Sequence, residues 1–105
     1  MGCTFLDPAP IEIGDHAQLG PGVQLLTATH PLDAGTRIAG PEPARPISIG
    51  ARAWLGGAVV VCPGVSIGAE TVVGAGSVVI GDLPAGVLAV GNPCRIVRKL
   101  SAEGR

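Results

Sequence analysis

Aliphatic residues recur every six positions along most of this chain. Ile13, Leu19 and Leu25 form one series, and Ile49, Leu55, Val61, Ile67, Val73 and Val79 form a second that closes at Leu83. Glycine follows directly at Gly14, Gly20, Gly50, Gly56, Gly68 and Gly74. A small or β-branched residue stands four places after each anchor: Ala17, Val23, Thr29, Ala53, Val59, Val65, Thr71 and Ser77. A period of six is neither the 3.6 of a helix nor the two of plain strand alternation. A short strand plus a turn makes one side of a triangular coil. Three such units complete a rung, and the anchors stack in the interior. The glycine after each anchor is expected at a tight corner, where a left-handed backbone is cheapest without a Cβ. The expected fold is therefore all-β, a parallel β-helix. A β-sandwich would separate its strands by irregular turns instead of a fixed metre.

Composition agrees with a narrow, repetitive interior. At 105 residues the chain is read as one domain, 1–105, at the low end of what buries a core alone. Seventeen glycines and ten prolines would suit low complexity, but 47% hydrophobic residues and a mean hydropathy of +0.49 argue against disorder. Aromatic content is 2% with no Tyr, so small aliphatic side chains must do the packing. A net charge of −1 gives no electrostatic reason to expect nucleic acid or an acidic membrane as partner. No run approaches the roughly 18 apolar residues of a membrane span. Asp7, Pro8 and Pro10 interrupt any early signal-like stretch. Cys3, Cys62 and Cys94 are odd in number and widely spaced, which suits reduced thiols in a cytoplasmic protein better than a disulfide framework or a zinc site.

The metre breaks once. The two series are in phase, four sixes apart, yet the intervening positions Pro31, Arg37 and Pro43 cannot act as anchors. Residues 31–45 are expected to leave the coil as a loop, with the chain rejoining at about Ile47. Pro41, Pro43 and Pro46 favour extended backbone, so the loop is read as a semi-rigid arm. Loops of this length in compact repeats are usually functional or disordered, and function is the reading here. His30 stands where the coil opens into it. Residues 85–105 are read as a short C-terminal tail.

From about Phe5 to Leu100 the chain resembles the left-handed β-helix O-acetyltransferases, in the branch of maltose, galactoside and nodulation-factor acetyltransferases. The resemblance is carried by "TATHP" with Arg37 seven residues after its histidine, then "AWLGG", "PGVSIG", "GAGSVV" and "GNPCRIVR", in the family's order and spacing. It implies a left-handed coil and transfer of acetyl from acetyl-CoA to a hydroxyl of a sugar or glycoside, without a covalent enzyme intermediate. His30 matches the catalytic base. A neutral imidazole is suited to accept a hydroxyl proton near neutral pH. Gly57 and Ala75 match positions whose backbone meets the pantetheine arm. Ile80 and Gly81 stand where the family often has Thr-Lys, a departure that removes a hydroxyl and a cation. Arg95 and Arg98 match the arginines that approach the CoA phosphates. Trp54 matches a tryptophan that either flanks the cofactor or packs. His16 falls on a turn and is read as a solvated side chain.

Asp7, in "CTFLD", matches a residue that helps hold the acceptor, while Gly2 stands where the family has asparagine. The chain opens inside this motif, so the resemblance implies an N-terminally short member with an incomplete acceptor half. The alternative reading is a catalytically impaired CoA-binding or scaffolding trimer. The resemblance also implies a homotrimer, with the transfer site between subunits and the 31–45 loop reaching a neighbour. No metal is expected. The β-helix carbonic anhydrases need three histidines, and this chain has two, His16 and His30. The acceptor stays open among maltose or glucose, galactosides, chitin-like oligosaccharides and antibiotics.

Overall fold

The structure, a computed structural model, describes residues 4–6 (backbone), 9–28 and 44–101. His30, Asp7 and most of the 31–45 loop lie outside these residues. Twelve strands and no helix are found among the described residues. They are β1 (Thr4–Leu6), β2 (Ile11–Ile13), β3 (Gln18–Leu19), β4 (Gln24–Leu26), β5 (Ile47–Ile49) and β6 (Trp54–Leu55). β7 (Val60–Val61), β8 (Ser66–Ile67), β9 (Val72–Val73), β10 (Val78–Val79), β11 (Val87–Gly91) and β12 (Cys94–Lys99) complete the set.

From β1 to β11, successive strands go to different sheets. The orders are β1-β4-β7-β10, β2-β5-β8 and β12-β11-β9-β6-β3, and every pair is parallel except β11–β12. Three sheets make the three walls of a parallel β-helix. The anchors pair with one another one rung apart: Ile49 with Ile67, Leu55 with Val73, Val61 with Val79. They stack inside the coil at 0–2% exposure, with Leu25 at 0%. Full burial of one such side chain stabilises by about 1.5–3 kcal/mol. Val23, Ala53, Val59 and Val65, four places after their anchors, are equally buried. Ile13, at 42% exposure, and the half-buried Leu19 are exceptions, because β2 and β3 are the edges of their sheets among the described residues.

On two of the three walls a glycine follows the anchor, and it proves necessary for a different reason than the one expected; on the β4-β7-β10 wall Leu26, Cys62 and Ile80 stand there instead. The glycine is the site of closest approach between rungs. A Cβ on Gly14 would lie 2.5 Å from the Ala51 nitrogen, on Gly20 2.6 Å from Gly57 N, and on Gly56 2.7 Å from Ala75 N. Left-handed backbone falls two residues later, three places after the anchor: His16 (φ 61°), Gly22 (74°), Arg52 (58°), Ala58 (61°), Gly64 (79°), Glu70 (63°), Gly76 (75°) and Gly86 (67°). From the second rung on, several of these residues donate their N–H groups to the preceding rung, as Arg52 does to Asp15 C=O (2.8 Å), Ala58 to Pro21 (2.8 Å), Glu70 to Ala51 (2.9 Å), Gly76 to Gly57 (2.9 Å) and Gly86 to Ala69 (2.9 Å). The corners are therefore hydrogen-bonded ladders, which offset the strain of left-handed non-glycine residues.

At the break in metre, Arg45 N–H donates to Thr27 C=O at 2.9 Å and β5 begins at Ile47, so the two ends of the excursion are tied together at the wall. The last rung is two residues short, since Ile67 bridges Leu83 and Val72 pairs with Leu88. Side chains replace the missing backbone partners. Ser66 N–H donates to Asp82 Oδ1 (2.8 Å), the buried Thr71 hydroxyl donates to Pro84 C=O and accepts from Val87 N–H (3.3 Å), and the buried Ser77 hydroxyl accepts from Gly91 N–H (2.9 Å). The stretch read as a tail thus carries two strands. β11 continues the coil, with Val87 at 3% and Ala89 at 0% exposure, and β12 folds back along its edge.

Paired substitutions separate the two glycine roles. Gly56→Ala is expected to destabilise the fold by about 1–3 kcal/mol through overpacking, whereas Ala58→Gly, at a left-handed corner, is expected to stabilise it by about 1 kcal/mol. Chemical denaturation midpoints of the two variants check the sign of each change.

Candidate active site

In the terminal hairpin of β11 and β12, a bulge decides which face its arginines share. β12 pairs Arg95 with Val90 and Arg98 with Leu88, with the register shift between Leu88 and Ala89. Residues three apart on a strand normally face opposite ways. The extra residue puts both guanidinium-bearing residues opposite Leu88 and Val90, which alternate with the inward-facing Ala89. Arg95 and Arg98 therefore share the outward face. Arg98 also donates to the Lys99 carbonyl at 3.4 Å.

The turn that leaves β10 carries Ile80, exposed at 62%, and Gly81. The hairpin returns beside it, and together they form a concavity of about 390 Å³ lined by Ile80, Gly81, Asp82, Cys94, Arg95 and Ile96, among others. Gly81 has open space around a built Cβ, so this turn has room for a side chain. Burial raises the Cys94 thiol pKa, with a hydrogen bond from the Ser77 side chain countering it in part. Burial also raises that of Cys62. Neither thiol is a ready thiolate at neutral pH.

Gly57 and Ala75 sit one rung apart at the corner that follows β6 and β9. The Gly57 carbonyl accepts from Gly76 N–H, and the absence of a Cβ at Gly56 lets Ala75 stack closely. Trp54 lies on the adjoining wall, between Gln18 and Val72, and is 54% exposed. It lines a separate concavity of about 450 Å³ with His16, Gln18, Arg52, Glu70 and Val72. Arg52 donates to Glu70 Oε2 through Nε (3.0 Å) and Nη2 (2.9 Å) on this rim. His16 is an exposed turn residue there.

The structure thus brings Ile80, Gly81 and Arg95 together, with Arg98 on the same strand face, stacks Gly57 on Ala75, and leaves Trp54 in another recess. His30 and Asp7 lie outside the described residues. Among the described residues no cluster of three or more His, Cys, Asp or Glu could hold a metal ion. Sequence reasoning missed Asp82, Cys94 and the Arg52–Glu70 pair. The signal for the last was available, since both residues fall three places after an anchor, in phase with Gly22, Gly64 and Gly76.

The chain matches the family described as "Hexapeptide repeat of succinyl-transferase" over residues 46–80. A maltose O-acetyltransferase from Clostridium difficile 630 is 50% identical with a TM-score of 0.91, over 94% of this chain and 53% of that one. A hexapeptide-repeat acetyltransferase from Vibrio cholerae O1 biovar eltor, solved with acetyl coenzyme A, is 48% identical with a TM-score of 0.93, over 96% and 55%. A further Vibrio cholerae structure of that acetyltransferase is 35% identical with a TM-score of 0.79, over 94% of this chain and 71% of that one. A galactoside acetyltransferase solved with coenzyme A is 40% identical with a TM-score of 0.92, over 96% and 50%. These likenesses fix the coil as a left-handed parallel β-helix. The chain spans about half the length of the curated relatives it matches.

Raised thiol pKa values have a direct consequence for reactivity. At pH 8, Cys62 and Cys94 are expected to react with Ellman's reagent more slowly than free cysteine, with rates still climbing above pH 9. The time course of thionitrobenzoate release from a Cys3→Ser variant checks this.

Proposed function

Because the chain belongs to the hexapeptide-repeat acetyltransferases, we propose that it moves an acetyl group from acetyl-CoA to a hydroxyl of a sugar or glycoside. The observation that carries this reading is the hairpin, whose two arginines share a face beside the Ile80–Gly81 turn. Guanidinium groups suit phosphate oxygens through charge-assisted hydrogen bonds. In this reading Arg95 and Arg98 hold the phosphates of the cosubstrate, Ile80 and Gly81 border them, and the backbone at Gly57 and Ala75 meets its amide-bearing arm. Acetyl-CoA supplies an acyl carbon already activated as a thioester.

The chain's own task is then alignment and proton removal. His30 acts as general base, its neutral imidazole accepting the acceptor hydroxyl's proton as the oxygen attacks, and Asp7 helps hold the acceptor. The raised pKa values of Cys62 and Cys94 favour direct transfer over an acyl-cysteine intermediate. A sugar acceptor draws support from the maltose and galactoside acetyltransferases among the relatives. We place the reaction at the seam of a homotrimer, which would also cover the exposed Val90, Ile96 and Val97. A cytoplasmic location accords with the free thiols. Among the described residues no helix is long and apolar enough to cross a membrane.

Release of CoA thiol with a panel of maltose, galactosides and chitooligosaccharides tests the reading. His30→Ala is expected to lower the rate about 10²–10⁴-fold while leaving CoA affinity unchanged by calorimetry. An unchanged rate would remove His30 from the chemistry. Gly81→Lys restores a cation where the fold leaves open space, and it is expected to tighten CoA binding about tenfold at low salt, with the gain shrinking as salt rises. Equal affinity at all salt concentrations would show that the phosphates lie elsewhere.

A further inference from the structure

Three corner residues carry side chains where glycine would strain the backbone least. His16, Arg52 and Glu70 are all left-handed, at φ 58–63°, and they stack in one column because each stands three places after an anchor of the Ile13–Ile49–Ile67 series. The corresponding corner positions elsewhere are Gly22, Ala58, Gly64, Gly76 and, atop this same column, Gly86. A left-handed polar side chain is disfavoured relative to glycine. Residues kept in such conformations concentrate at functional sites. All three border a single recess of about 450 Å³, within the size range of small-molecule sites.

The recess has a defined chemistry. Its floor is Trp54, the chain's only tryptophan, exposed at 54% on a rigid strand between Gln18 and Val72. Its rim is polar: an imidazole, an amide and the Arg52–Glu70 pair, in which two of the five guanidinium N–H groups reach one carboxylate oxygen at 2.9–3.0 Å. Because that cation and anion neutralise each other, the rim has little net attraction for a phosphate. What it offers is a flat apolar platform bordered by fixed donors and acceptors. A pyranose ring has the complementary shape, one face of C–H groups and an equatorial fringe of hydroxyls. None of Gly57, Ala75, Ile80, Gly81 or Arg95 lines this recess.

We propose that the Trp54 wall is a carbohydrate-binding subsite, in which one saccharide ring stacks on the indole and its hydroxyls are held by Gln18, Arg52 and Glu70. It holds a sugar residue of a glycan away from the cofactor turn. Saccharide binding here is measurable with no acyl donor, so it stands or falls apart from the transfer reaction.

Tryptophan emission reads this wall alone. The full chain is titrated separately with maltotriose, cellotriose, chitotriose, AMP and coenzyme A, and the titrations are repeated with Arg52→Gly. Glycine suits the left-handed corner, so this variant is expected to keep its circular dichroism and to melt at an equal or higher temperature. The expected result is a saturable emission change with at least one trisaccharide, none with AMP or coenzyme A, and binding at least tenfold weaker in Arg52→Gly. A response confined to AMP or coenzyme A would assign the wall to a nucleotide and overturn the proposal. So would silence with all three sugars, or equal sugar binding by a folded Arg52→Gly. A shift that depends on protein concentration without sugar, and blocks sugar binding, would mean that a second copy covers Trp54, and would overturn it too.

Discussion

Backbone contact between rungs governs this structure. Where the chain turns after the anchors of two walls, the next rung passes so close that a single β-carbon would strike its amide nitrogen, as at Gly14, Gly20 and Gly56. That closeness sets the wall spacing and lets the left-handed corner residues donate to the rung before them. It also lets Leu55, Val61, Ile67 and Val79 stack as an aliphatic column thin enough to need no aromatic ring. Each rung buries its apolar side against its neighbours, so local geometry, repeated, is the fold.

Most of that was legible in the sequence, and the reason is physical. An interior stack with a fixed repeat demands an aliphatic residue at a fixed spacing, so Ile49 to Val79 announce both the rung length and the strand register. The role of Gly50 or Gly56 was harder to read, since tight φ and tight packing both select glycine and only coordinates tell them apart. The short last rung left no periodic trace. It exists because Asp82, Thr71 and Ser77 stand in for absent backbone partners, and none of these is unusual in sequence. The bulge in β12 was equally silent, yet it gives Arg95 and Arg98 a common face. Arg52 and Glu70 did leave a trace, the shared phase with Gly22, Gly64 and Gly76, but arginine and glutamate seldom occupy a left-handed corner and so do not announce one.

Function follows from how the regular coil ends. A rigid prism offers few concavities, since its walls are flat and its interior is filled. Recesses arise only where the metre fails or where a corner keeps a long side chain. The two-residue deficit folds the hairpin back beside Ile80 and Gly81, making one. The His16–Arg52–Glu70 corner, raised beside Trp54, makes another. Because both are mounted on hydrogen-bonded rungs, their side chains are positioned by the scaffold and not by mobile loops.

A crystal structure of the chain with coenzyme A bound tests this view most directly. The expected result is phosphate oxygens within hydrogen-bonding distance of Arg95 and Arg98, with the pantetheine arm along the Gly57–Ala75 corner. Coenzyme A held on another wall, with both arginines in solvent, would contradict it.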